Sequence, residues 1–175
     1  MEPITREKTG VLCLKRFPAS AGMTIGTEGI SMRTALITGG TAGIGEASVR
    51  AFVAAGWRVV TSGRRAERLD RLTSDLGAGH VQTIAADIRD TAAMMASIET
   101  LPDPFKGIDL LINNAGLALG TAAAQDASVE DWQVMIDTNV TALVKLTHAM
   151  LPTLIKRKGA IINLASVAAT YPYTG

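Results

Sequence analysis

Thr34-Ala35-Leu36-Ile37-Thr38-Gly39-Gly40-Thr41-Ala42-Gly43-Ile44-Gly45 is the stretch whose reading decides the fold. It opens as an apolar run of strand length, then places glycines at 39, 40, 43 and 45 and passes directly into a helical pattern. A strand, a glycine turn and a helix in succession aim backbone N–H groups and a helix N-terminus at whatever lies above the turn, which suits a pyrophosphate. Gly39, Thr41, Ala42, Gly43, Ile44 and Gly45 are therefore candidate nucleotide-binding residues, Gly43 and Gly45 permitting close approach of ligand and sheet. A flexible turn without a ligand is the alternative reading, and the spacing departs from the common Gly-x-Gly-x-x-Gly form.

Working outward, a helix over 44–55 puts Ile44, Ala47, Ala51 and Ala55 on one face and stops at Gly56. Arg58-Val59-Val60-Thr61-Ser62 reads as a second strand, followed by a helix with a Leu69, Leu72 and Leu76 stripe, with Glu67, Arg68, Asp70 and Arg71 facing water. A strand over 81–86 leads to Asp90 as cap of a helix carrying Met94, Ile98 and Leu101, and Ile108-Asp109-Leu110-Leu111-Ile112 is the fourth strand. Ser128-Val129-Glu130-Asp131 resembles a capping box. It opens the longest helical pattern, with Trp132, Ile136, Leu143, Leu146 and Met150 on one side, and Pro152 is expected to kink or end it. Ala160-Ile161-Ile162-Asn163-Leu164 is a fifth strand, and 166–175 reads as loop. The alternation predicts an α/β chain with a Rossmann-type, doubly wound parallel sheet.

The 175 residues carry 17 Lys and Arg against 16 Asp and Glu, a net charge of +1 that gives no footprint for nucleic acid. A lone cysteine, Cys13, forms no internal disulfide, and with two histidines no Cys/His metal cluster assembles. The expected compartment is the cytoplasm. No apolar run approaches the roughly 20 residues of a membrane span. Residues 1–31 lack a sustained period and read as a disordered leader, with Met32 a candidate natural start before a dinucleotide-binding portion over 32–175.

Further candidates fall at successive strand ends. After the second strand, where an acidic residue would hold a ribose 2′-hydroxyl, the chain has Arg64 and Arg65. Two guanidiniums there suit a 2′-phosphate, hence NADP rather than NAD, unless they merely begin an exposed helix. Asp87 and Ile88 follow the third strand, and Asn113-Asn114-Ala115-Gly116 the fourth, where ligands bind in open α/β sheets. Asp87 is placed to accept from an adenine amino group, though it could equally open a turn with Arg89 and Asp90. Asn139 lies on the apolar stripe of the long helix, so its amide needs a partner or a task. Ser166 lies two residues beyond the fifth strand, at the same sheet edge.

Together these residues resemble the short-chain dehydrogenase/reductase family over essentially 33–175. The match rests on Thr38-Gly39-x-x-x-Gly43-x-Gly45, Asp87, Asn113-Asn114-Ala115-Gly116, Asn139 and Ser166, in order and at family spacing. The finer pattern, including Gly63-Arg64-Arg65-Ala66-Glu67-Arg68-Leu69 and Tyr171-Pro172-Tyr173-Thr174-Gly175, is similar to NADP-dependent 3-hydroxy acid dehydrogenases of the serine or allo-threonine type. The resemblance implies hydride transfer between NADP and a secondary alcohol or ketone, with a small hydroxy acid or carbonyl compound as substrate. It further implies Ser166 bonding the substrate oxygen, Asn139 supporting a proton relay, and a homo-oligomeric full-length protein. The family's Tyr-x-x-x-Lys is absent: neither Tyr171 nor Tyr173 is followed by lysine at that spacing. The chain is thus expected to be a C-terminally truncated, inactive portion of such an enzyme. The competing readings are a non-catalytic dinucleotide-binding or interaction module and an epimerase or dehydratase of related fold, the last disfavoured by the glycine spacing.

Overall fold

A computed structural model describes residues 23–26 and 29–171. Its centre is a five-stranded parallel sheet in the order β5-β4-β3-β6-β7, formed by β3 (Thr34–Thr38), β4 (Arg58–Gly63), β5 (Val81–Ala85), β6 (Ile108–Asn113) and β7 (Ala160–Asn163). The expected doubly wound α/β architecture is therefore present. β3 lies between β4 and β6, so the chain winds outward on one side of β3 and then crosses to the other. That reversal opens a crevice at the carboxyl edge, where the loops after β3 and β6 part.

Every residue of β3 is buried, as expected of a strand covered on both faces. Ala35 and Ile37 join Val59, Leu110 and Ile112 in a core against α1 (Gly43–Ala54) and α2 (Ala66–Leu76). Leu36, Val60 and Leu111 point the other way, into a core shared with α3 (Thr91–Glu99), α4 (Asp103–Lys106) and α6 (Ala142–Lys156). The period-two alternation of each strand thus feeds two helical layers.

The structure corrects several local expectations. The buried side of α1 is Gly45, Val49 and Phe52, while Ile44 is 67% exposed. The helix docks on the side where a Cβ at Gly45 would run into the Gly39 carbonyl, and this close approach sets which face turns inward. The long helical pattern is two helices, α5 (Val129–Ile136) and α6, joined by a π turn over Asp137–Thr141. A π turn shifts the helical phase, so Trp132 and Ile136 end up exposed while Ala142, Leu146, Met150 and Leu154 form the buried face. Asn139 consequently lies on an exposed face, not a buried stripe. Pro152 does not end α6, which continues to Lys156 without the hydrogen bond that a residue 152 N–H would have made.

Within the expected leader, β1 (Met23–Gly26) and β2 (Gly29–Met32) pair antiparallel, with Gly26 opposite Gly29. This corrects the disordered reading for that part, since glycines at the reversal and β-branched residues on either side favour a hairpin. Residues 1–22 of the expected leader lie outside the described residues.

Candidate functional site

The site begins with Thr38, the last residue of β3. Its buried hydroxyl accepts from the backbone N–H groups of Asn114 and Ala115 at 3.0 and 2.9 Å. Asn114 returns the tie: its Nδ2 donates to the carbonyls of Thr38 and Gly39 at 2.7 and 3.2 Å. The turn after β3 and the loop after β6 are therefore one braced unit. Gly39, at φ +73°, is required at their contact, because a Cβ there would lie 2.9 Å from the Ala115 Cα.

Beyond this brace, Ala42 is the N-cap of α1 and offers no side-chain hydrogen bond to the first-turn N–H groups. Those donors carry the positive end of the helix dipole. Gly43 is exposed at φ +54°, with open space where a Cβ would stand, and Ile44 lies exposed beside it. An open cradle of backbone donors with an apolar side chain at its lip fits a dinucleotide.

The second wall comes from β4 and α2. Arg65 Nη2 donates to the Thr41 hydroxyl at 3.0 Å, and Arg68 Nη1 donates to the Thr41 carbonyl at 3.2 Å. Gly63 completes the contact, since a Cβ there would meet the Thr41 methyl. Arg64 makes no hydrogen bond or ion pair among the described residues, but its charge helps lower the Asp87 pKa. Arg68 is exposed, as expected of its helix face, and its guanidinium in addition reaches Thr41. At the start of α2, positions 65 and 68 share a side, a spacing that could have revealed the pair.

Asp87 is held by Arg89, whose Nε and Nη2 reach its two carboxylate oxygens at 3.0 and 2.7 Å. The side-chain hydrogen bonds from Arg89, chiefly, keep the Asp87 carboxyl below its ordinary range, so it stays an ionised acceptor. Oδ1 also accepts from the Arg89 backbone N–H at 2.9 Å, so the lone-pair capacity for a further donor lies on Oδ2. Ile88 turns inward and packs against the core shared with α3 and α6, leaving only its backbone at the strand end. An open cleft of about 620 Å³ lies beside Asp87, bounded by Arg89, Asp90, Asp137, Thr141 and Lys145.

Asn139 projects from the π turn onto the loop after β6. Its Oδ1 accepts from the Leu117 N–H at 2.9 Å and its Nδ2 donates to the Leu117 carbonyl at 2.8 Å. Gly116 packs against the same amide, with room for a Cβ only at 3.2 Å from Oδ1. The amide of Asn139 is thus committed to backbone. Ser166 follows β7 and accepts from the Ala168 N–H at 3.2 Å, capping a 3-10 turn over Val167–Ala169. No hydrogen bond among the described residues joins Ser166 to Asn139. Gly39, Thr41, Arg65, Asn114 and Ala115 are brought together; Gly116 and Asn139 form a neighbouring pair; Ser166 stands at the far end of the sheet edge.

A family model described as short chain dehydrogenase matches residues 33–175. A serine 3-dehydrogenase of Agrobacterium fabrum is 55% identical over 142 residues, which are 81% of this chain and 57% of the relative. An NADP-dependent 3-hydroxy acid dehydrogenase of Shigella flexneri is 48% identical over 141 residues, 80% of this chain and 56% of that protein. Among solved structures, the closed form of a serine dehydrogenase complexed with NADP+ aligns with a TM-score of 0.78 at 45% identity, covering 81% of this chain and 57% of that one. The chain therefore spans a little over half the length of these relatives. From its first sheet strand onward, it belongs to the short-chain dehydrogenase family.

Proposed function

We propose that the chain is the dinucleotide-binding portion of an NADP-dependent oxidoreductase acting on a secondary alcohol or ketone, with 3-hydroxy acids such as serine or allo-threonine as substrate class. The carrying observation is the guanidinium pair just beyond β4, where Arg65 is held on Thr41 and Arg64 has no committed partner among the described residues. The names of the serine and 3-hydroxy acid dehydrogenase relatives support the substrate class.

The nicotinamide, when bound, accepts or gives the hydride. The chain's own residues bind and orient. The turn over 39–45 receives the pyrophosphate, Arg64 and Arg65 hold the 2′-phosphate, and Asp87 accepts from the adenine amino group. Asn114, Ala115 and Gly116 wall the ribose side. Ser166 bonds the substrate oxygen from the sheet edge, and Asn139 fixes the loop at Leu117 rather than exchanging protons through its own amide. The proton leaving an alcohol needs a base, and Tyr171 has Gly175, not lysine, at Tyr-x-x-x-Lys spacing. Residues 1–175 alone accordingly bind NADP(H) without turnover, and homo-oligomerisation belongs to the full-length protein.

The second reading, a binding module with no catalysis at all, draws on Gly175 standing where a lysine would follow Tyr171. Purified 1–175 should enhance NADPH fluorescence on titration and show no serine-dependent NADP+ reduction. Substrate-dependent NADPH formation by 1–175 contradicts the inactive-portion reading, and absence of any NADPH binding contradicts both readings.

A further inference from the structure

We infer that Arg68 is a cofactor-specificity residue, supplying by its charge a third guanidinium to the site that separates NADP from NAD. The inference rests on the NADP reading above and extends it to a side chain on α2, one turn beyond the arginine pair at the strand end. Arg68 is one turn into α2, yet its Nη1 is fixed at 3.2 Å from the Thr41 carbonyl. Arg65 is fixed on the hydroxyl of the same residue at 3.0 Å. Two guanidiniums thus converge on one small residue. Both partners on Thr41 are neutral oxygens, and among the described residues no carboxylate forms an ion pair with Arg64, Arg65 or Arg68. The charge of Arg68 is therefore held in place and left uncompensated. Thr41 itself is buried and pinned against Gly63, so the pair of guanidiniums has a rigid seat. The Thr41 hydroxyl, accepting from Arg65, keeps its own proton to donate outward. A phosphate monoester dianion on the adenosine ribose matches this set of donors and charges, whereas a ribose hydroxyl makes no use of the third charge.

Isothermal titration of NADP+ and NAD+ into the purified chain and into its Arg68→Ala, Arg68→Gln and Arg71→Ala variants tests this. The Ala and Gln variants at 68 should each raise the NADP+ Kd about tenfold while the NAD+ Kd moves less than about twofold. Their thermal midpoints should stay at the wild-type value, and Arg71→Ala, on the next turn of α2, should leave both affinities unchanged. Equal loss of both cofactors at position 68 would reduce Arg68 to a structural brace and overturn the inference. So would unchanged NADP+ affinity in Arg68→Gln, or an NADP+ loss in Arg71→Ala equal to that at 68. A wild-type chain that binds NADP+ no better than NAD+ overturns the cofactor reading and this inference with it, which keeps the two failures distinct.

Discussion

The Thr38 hydroxyl is 2% exposed and carries two backbone donors from the loop after β6. Its replacement by valine keeps the shape and leaves both N–H groups without that acceptor, an expected loss of about 2–3 kcal/mol in urea unfolding. Thr38→Ser should stay within about 1 kcal/mol of wild type because it keeps the acceptor. At Asp87, the side-chain hydrogen bonds from Arg89 hold the folded carboxyl below its ordinary range. A group depressed in the folded state stabilises above its unfolded pKa and loses that contribution as pH falls through the folded value. The thermal-midpoint gap between wild type and Asp87→Asn should hold steady above about pH 5 and close as the solution is acidified below the unfolded value. Much of this scale was legible in the sequence, since Gly39, Asp87 and the arginines at 64 and 65 declare themselves by position. Arg68 was legible only in part: the spacing places it on the side of Arg65, but helix periodicity says nothing of where a long flexible guanidinium finds its acceptor.

Among the elements, strand runs and caps were readable because they depend on neighbouring residues. Asp90 accepts from the Ala93 N–H at 2.9 Å, and Ser128 from the Asp131 N–H at 3.1 Å, as their positions before helical patterns require. The face of α1 was not readable, since the choice between neighbouring stripes is made by a close approach to Gly39, distant from the helix's own pattern. The π turn was likewise hidden: a single added residue in the turn leaves composition unchanged and rotates everything after it. Its consequence is the Asn139 clamp on Leu117. Asn139→Ala should speed amide hydrogen exchange at Leu117 by about tenfold or more, while amides in β3 stay protected. An unchanged Leu117 rate would show that the clamp does not order the loop.

For the molecule as a whole, the parallel sheet places Thr38, Gly63, Asp87, Asn114 and Ser166 at or just beyond the carboxyl ends of their strands, so one edge collects these groups. The topology follows from the regular alternation of strand and helix, and it converts residues scattered along the chain into a single surface. A different surface is apolar: Ile136 is 51% exposed, Val144 57% and Ile155 73% along α5 and α6, and every residue of β7 is exposed. Sequence periodicity assigned part of that stripe to the core because apolar residues at helical spacing look alike whether they meet their own chain or not. Among the described residues no helix is long and apolar enough to cross a membrane. In the proposed function, one edge of the sheet takes a dinucleotide carrying a 2′-phosphate. Phosphorus NMR of NADP+ titrated with the purified chain reads that phosphate directly. Free, its second ionisation lies near pH ~6; held by guanidiniums, it should titrate at least about one unit lower, because the cations favour the dianion. A 2′-phosphate that titrates at its free value while the pyrophosphate resonances shift would contradict the account.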